Sequence, residues 1–370
     1  MSRDQRLAVE LGARSYEILV GSGLLARAGP ELARVLRRPD AIIVTDANVA
    51  GTPHLGLLER SLEAAGIARR RIVLPSGEST KSMAQLAELL DRLLDLGIDR
   101  ATTIVAFGGG VIGDLAGFAA AILLRGLDYV QVPTTLLAQV DSAIGGKTGI
   151  NARHGKNLVG AFHQPRLVLA DTAALASLPP RELRAGYAEV VKYGLIDRPE
   201  FFVWLKAHGR EVLAGDPAAQ QHAVLESCRA KAAVVAADER EGGARALLNL
   251  GHTFAHALET ACGYGDELLH GEAVALGLVL AFDLSVRLGL CPAADAGRVR
   301  THLAAVGLPT TLGAVRAEGF APEILLAAMG HDKKAEAGRP RFVLTRGIGR
   351  AFAGAEVGTA ELEALLGAAA

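Results

Sequence analysis

The chain lacks an excess of charge, a cysteine framework and a long apolar run. Its 39 Lys and Arg residues balance 40 Asp and Glu residues, for a formal net charge of -1. A surface built for nucleic acid or another polyanion normally carries a basic excess, so that class is excluded, and any bound phosphate must meet a local cluster of cations. The three cysteines, Cys228, Cys262 and Cys291, are far apart and form no CxxC pair. This argues against a disulfide scaffold and a cysteine zinc site, and fits a reducing compartment. The most apolar stretch, "GFAAAILLRGLDYV", is interrupted by Arg125 and Asp128 and is too short to span a bilayer. The N-terminal "MSRDQRLAVELGARSYEILV" mixes charges among its apolar residues, unlike a signal or transit peptide. The expectation is a cytoplasmic, soluble protein without membrane or nucleic-acid partners. With 370 residues, half of them hydrophobic, it can bury two substantial cores.

The first half alternates β-branched runs with helical patterns. "YEILV" (16–20), "AIIVT" (41–45), "RIVLP" (71–75), "TTIVAF" (102–107) and "YVQVP" (129–133) read as strands, and "KSMAQLAELLDRLLDLG" as an amphipathic helix ending at Gly97. Such alternation predicts an α/β domain with a mostly parallel, helix-covered sheet. From about Leu178 the segments become long helical patterns rich in alanine and leucine, with only "RFVLT" (341–345) reading as a strand. Pro179-Pro180 breaks the chain ahead of this change. The division expected is residues 1–178 as a nucleotide-binding α/β domain and 179–370 as a mainly α-helical one, with the active site in the cleft.

"TTIVAFGGGVIGDLAGFAAAIL" is a strand, a glycine cluster and a helix, and Gly108, Gly110 and Gly113 satisfy GxGxxG. Glycines admit a pyrophosphate close to the backbone, and the helix N-terminus supplies N–H donors. An isolated match reads equally well as a tight strand-to-helix turn. The usual dinucleotide fingerprint lies in the first βα unit, whereas about a hundred residues precede this one. Ribose hydroxyls would need other partners, and Asp46, Asn48, Glu78 and Lys81 follow strands closely enough to make a candidate adenosine site.

Beyond the loop, "VDSAIGGKTGIN" and "RHGKNLVGAFHQP" crowd Asp141, Lys147, Asn151, Lys156, Asn157 and His163 among glycines, which suggests loops that present charged groups. In "LNLGHTFAHALET" (248–260), His252 and His256 stand four residues apart on one helical face. "RAGYAEVVKYGLI" offers Glu189 and "ELLHGEAVALGLVLAF" offers His270, also in apolar helical segments. Catalytic zinc takes three such ligands and keeps one position open. A HExxH peptidase is excluded, because no glutamate follows His252. One histidine on the metal and one free for proton transfer is the remaining arrangement.

The runs "GGGVIGDLAGF", "VPTTLLAQVDSAIGGKTGIN", "GKNLVGAFHQP", "AGYAEVVKYGLI", "DEREGG", "ALLNLGHTFAHALE", "LHGEAV" and "HDKK" follow in an order that resembles the 3-dehydroquinate synthase family over nearly the whole chain. The resemblance implies a carbon–oxygen lyase that uses NAD and one divalent metal, Zn2+ or Co2+. It would turn 3-deoxy-D-arabino-heptulosonate 7-phosphate into 3-dehydroquinate and phosphate, in the shikimate pathway, as a homodimer. Transient oxidation by NAD, phosphate elimination, re-reduction and an intramolecular aldol closure make up that reaction. Carried over residue by residue, the resemblance makes Glu189, His252 and His270 the metal ligands. It places Asp46, Asn48, Glu78, Lys81, Gly109, Gly110, Val111, Asp114, Thr134, Thr135, Lys156 and Ser177 at NAD. Asp141, Lys147, Asn157, Lys192, Lys231, Arg245 and Asn249 would hold substrate, Arg125 with Lys333 or Lys334 its phosphate, and Glu241 and His256 would move protons. The one departure noted is Ala255, where the family usually has glycine.

Sister sugar-phosphate cyclases are the nearest rivals, although "DSAIGGKTGIN", "HDKK" and His256 fit the first family better. A metal- and NAD-dependent alcohol dehydrogenase would not need so many phosphate-directed cations. A non-catalytic cofactor-binding protein would have no use for the metal trio and Lys147 together.

Overall fold

A computed structural model of the chain describes residues 4–317, 319–330 and 341–369. These divide into two compact units, one of residues up to 179 together with 215–240, the other of 180–214 and 241 onward. The helix Pro217–Ala237, which the sequence division places in the second domain, packs within the first unit. Among the described residues no helix is long and apolar enough to cross a membrane.

Among the described residues the first unit contains nine strands: β1 (Gln5–Val9), β2 (Tyr16–Gly21), β3 (Asp40–Asp46), β4 (Ala68–Leu74), β5 (Thr103–Gly108), β6 (Tyr129–Pro133), β7 (Lys147–Ala152), β8 (Gly155–Phe162) and β9 (Leu167–Asp171). Seven form one sheet in the order β1-β2-β9-β6-β5-β3-β4, parallel throughout except for β1 at one edge. Side chains alternate across it. Ile42 and Val44 of β3 and Ile104 and Ala106 of β5 join Leu86, Leu89 and Leu93 of the helix Met83–Asp95 on one face. Ala41, Ile43, Val105 and Phe107 join Leu55, Leu58 and Leu62 of the helix Pro53–Ala64 on the other. Both faces are therefore dry, which is why β5 is buried at every position and reads as a continuous apolar run.

The chain leaves β3, runs outward to β4, then crosses back to β5 on the other side of β3. That reversal makes the C-terminal ends of β3 and β5 a topological switch point, where open α/β sheets bind ligands. The segment expected to be loops after Asp141 is instead the antiparallel hairpin β7-β8. Its glycines are steric: Gly149 pairs with Gly160, and a Cβ on Gly160 would stand 2.1 Å from the Thr148 carbonyl oxygen.

The second unit is mainly helical, and the helix His270–Arg287, apolar around most of its surface, is buried along nearly all its length. It packs on the helices Pro180–Ile196 and His252–Ala261. Very small residues allow this. A Cβ on Gly271 would fall 1.8 Å from the Ala185 carbonyl oxygen, and one on Gly277 would fall 2.1 Å from that of Gly251. Besides β10 (Arg341–Thr345), expected from sequence, this unit holds β11 (Ala351–Glu356), which pairs with it.

Candidate functional site

In the first unit the residues expected at NAD gather on the C-terminal ends of four adjacent parallel strands. Asp46 ends β3 and caps the short helix Ala47–Ala50, accepting from the backbone N–H groups of Asn48 and Val49. Glu78 and Lys81 follow β4, Gly109 to Val111 follow β5, and Thr134 and Thr135 follow β6. Ser177 closes the turn Thr172–Ser177 after β9, where its Oγ lies 3.0 Å from His54 Nε2. Lys81 forms an ion pair with the half-buried Asp114, whose carboxyl is raised above the usual value by desolvation despite that partner. Asn151 donates to Glu78 at 2.7 Å and accepts from the Asn157 N–H at 3.0 Å, tying the hairpin to the end of β4.

This surface fits a dinucleotide. The helix Gly110–Ile122 opens at Gly109 with no side-chain cap, so its first N–H groups face outward as donors. Side chains on the loop would crowd it: a Cβ on Gly109 would meet Thr135 at 3.1 Å, and one on Gly110 would meet Ser142 at 3.0 Å. Among the described residues the buried Thr134 Oγ1 finds no hydrogen-bond partner, as expected of a hydroxyl made for a ligand.

Asp141 lies in a short π-helical turn, Ala138–Ser142, a rare conformation that favours functional positions. Lys231, buried on the helix Pro217–Ala237, donates to the Asp141 carboxylate at 2.7 Å and also to its backbone oxygen. Gln139 anchors the same turn from below, donating to the carbonyls of Pro133 and Asp171. Lys147 begins β7, and Lys156 and Asn157 lie on β8. Arg125 is the residue expected at the substrate's phosphate. It follows the helix Gly110–Ile122, exposed and just ahead of β6, at the end of the sheet opposite the glycine loop.

In the second unit Glu189, His252 and His270 converge from three helices, their ligand atoms within 4.8 Å of one another. Each histidine presents Nε2 to Glu189 Oε1 at 3.4 Å. That is longer than a good hydrogen bond and close to the roughly 3.3 Å separating ligands around a tetrahedral ion with bonds of about 2.0–2.1 Å. Neither Glu189 oxygen makes a well-formed hydrogen bond among the described residues, although the side chain is fully buried. Lys192, one turn on, contacts it as an ion pair. Burial works to raise the Glu189 carboxyl, but Lys192 and the two histidines outweigh it and hold it well below the usual range. The histidines diverge. Burial and Lys192 push His252 down to about 4, whereas Glu259 and Glu189 overcome burial and push His270 up to about 10. A buried carboxylate with two imidazoles is the donor set of a divalent transition-metal site.

His256 follows His252 by one turn, and their rings meet edge to face at 5.5 Å. Asn249 donates to Glu241 at 3.2 Å, and Arg245, in the same turn as Asn249, is almost fully buried. The expected "LNLGHTFAHALET" helix starts only at His252, because Gly251 takes a φ of 79° and separates it from the turn Ala244–Asn249. Lys333 and Lys334 lie outside the described residues. The sequence reading missed Glu259, which accepts a contact from His270, and Gln139. Glu259 had a signal, since His252, His256 and Glu259 form an i, i+4, i+7 stripe.

Comparison with known proteins matches residues 71–185 to the 3-dehydroquinate synthase N-terminal model and 186–335 to the C-terminal one. A protein of Rhodospirillum rubrum named 3-dehydroquinate synthase is 64% identical over 98% of this chain and 94% of its own. One of Jannaschia with the same name is 56% identical over 97% and 96%. Among solved structures, 2-epi-5-epi-valiolone synthase from Streptomyces hygroscopicus, with NAD+ and Zn2+ bound, is similar at a TM-score of 0.87 and 33% identity, covering 99% of each chain. A 2-deoxy-scyllo-inosose synthase with carbaglucose-6-phosphate, NAD+ and Co2+ follows at 0.82 and 25%, covering 99% and 100%. Glycerol dehydrogenase from Schizosaccharomyces pombe, at 0.68 and 18% over 94% and 87%, shares the fold.

Proposed function

The chain belongs to the 3-dehydroquinate synthase family, and on that premise we propose that it converts 3-deoxy-D-arabino-heptulosonate 7-phosphate to 3-dehydroquinate and phosphate. It acts as a lyase in the cytoplasm, as a homodimer, in the shikimate pathway. The observation that carries this reading is the convergence of Glu189, His252 and His270 in a chain of this family.

NAD, held by the strand-end residues from Asp46 to Thr135, by Lys156 and by Ser177, supplies reversible oxidation of a ring hydroxyl. A Zn2+ or Co2+ ion, held by Glu189, His252 and His270, supplies Lewis acidity. The remaining work falls to the chain's own side chains. Lys147, Asn157, Lys192, Lys231, Arg245 and Asn249 bind the substrate's anionic and hydroxyl groups, with Arg125 and Lys333 or Lys334 at the phosphate. Two anionic groups on one small molecule demand this many donors in a chain without excess charge. Lys231 keeps Asp141 oriented toward the substrate's hydroxyls. His256 offers an imidazole nitrogen, and Glu241 a carboxylate oxygen, to hold and return the proton of a substrate oxygen.

A sister sugar-phosphate cyclase is the second reading, favoured by the whole-chain likeness to the valiolone- and inosose-forming structures. Phosphate release from the heptulosonate phosphate, compared with other six- and seven-carbon sugar phosphates, separates the two. Preference for the heptulosonate supports the first reading, and preference for another sugar phosphate replaces it with the second.

A further inference from the structure

The assignments above leave Glu259 without a task, yet its carboxylate is only 3% exposed. Burying a carboxylate is costly unless its position does something a neutral side chain cannot. Glu259 follows His252 by seven residues, two turns along one helix, and so faces the same way. Its Oε2 lies 3.3 Å from His270 Nδ1, while the opposite nitrogen of that ring, Nε2, faces Glu189 Oε1 at 3.4 Å. His270 thus bridges two buried carboxylates, one at each nitrogen. His252 is held alike but by a neutral group, its Nδ1 lying 3.2 Å from the Leu250 carbonyl oxygen.

An imidazole that offers the Nε2 lone pair to a cation must carry its hydrogen on Nδ1, and that hydrogen needs an acceptor. For His252 a peptide carbonyl serves. For His270 the acceptor is a full negative charge, which strengthens Nε2 as a donor as well as fixing the ring. Gly271 contributes to the geometry, since only a residue without Cβ lets the His270 helix approach Ala185 so closely.

We propose that Glu259 is a positioning residue of the metal site, holding His270 in its Nδ1–H form with Nε2 directed at the centre it shares with Glu189 and His252. This rests on the metal reading given above. The test strips full-length wild type, Glu259→Gln and Glu189→Gln of metal. Each is titrated with Zn2+ against a chromophoric chelator and with Co2+ followed by its visible spectrum. The expected result for Glu259→Gln is a Zn2+ affinity about 10–100-fold weaker than wild type, with an altered Co2+ band, while Glu189→Gln loses binding altogether. A purely structural Glu259 would lower the melting temperature of the stripped protein and leave the affinity unchanged, and that result overturns the inference with the metal reading intact. If Glu189→Gln binds Zn2+ as wild type does, the metal reading falls and takes the inference with it. Should Glu259→Gln fail to fold, 15N-histidine NMR of the Zn2+-loaded wild type decides. A slowly exchanging Nδ1–H on His270 supports the inference, and coordination through Nδ1 overturns it.

Discussion

Lys192 stands one turn beyond Glu189, and the two side chains, 2% and 0% exposed, form a buried ion pair. The ammonium is what makes a fully buried carboxylate tolerable beside His252 and His270. Removing one partner of such a pair leaves an uncompensated charge, at a cost of about 3–5 kcal/mol. Lys192→Met is therefore expected to unfold at a lower temperature than wild type when free of metal. Because a bound cation takes over the compensation, Zn2+ should raise the melting temperature of Lys192→Met more than that of wild type. Differential scanning fluorimetry with and without Zn2+ checks both expectations.

Gly110 opens the glycine helix with its α-carbon turned toward Ser142, where a Cβ would come within 3.0 Å. Gly110→Val should weaken NAD+ binding by at least about tenfold, the effect of misplacing a close backbone contact by roughly 1.4 kcal/mol. Metal content should be unchanged, because the three ligands belong to the other unit. Calorimetric titration with NAD+, beside metal analysis of the same samples, measures the contrast.

Lys231 fixes both the backbone oxygen and the carboxylate of Asp141. Lys231→Met keeps the apolar stem and removes both bonds. With Asp141 released from its π-helical turn, kcat/KM for the heptulosonate phosphate should fall by about 100-fold, as small misplacements of reacting groups cost. NAD+ affinity should remain as in wild type. Steady-state kinetics and the same titration test this pair of outcomes.

His302 is buried, with its Nε2 3.1 Å from the Tyr187 hydroxyl, and burial pushes it down to about 4 from 6.5. A histidine whose folded pKa is depressed must stay neutral to remain in place. The stability it carries is therefore complete above pH 6.5 and is lost as the pH falls toward 4, by up to about 3 kcal/mol. His302→Asn should be less stable than wild type at pH 7.5 and show a shallower loss between pH 6.5 and 4. Urea midpoints across that range give the two slopes.

Much of this was legible in the residues. The alternation of Ala41, Ile43 and Ile42, Val44 announces a strand covered on both faces, and the structure places each pair in a separate core. β11 escaped because "AFAGAE" contains small residues and little β-branched character. The helix Pro217–Ala237 was recognisable as a helix, but alanines around its surface mark no single apolar face, so its packing partner could not be read from periodicity. Residues contributed from distant helices were legible only as types: nothing in the spacing of Glu189, His252 and His270 says that they meet. Glu259 was overlooked although its place on the histidine stripe was visible, since a glutamate on a helix is ordinarily solvated.

The most direct test of the central claim follows phosphate and NADH together. Metal-stripped protein is given heptulosonate phosphate and NAD+, first without and then with Zn2+, and finally with a chelator. The account predicts phosphate release that appears with Zn2+, stops on chelation and proceeds through many turnovers with no steady accumulation of NADH. Phosphate release indifferent to the metal, or NADH rising in step with turnover, would contradict it.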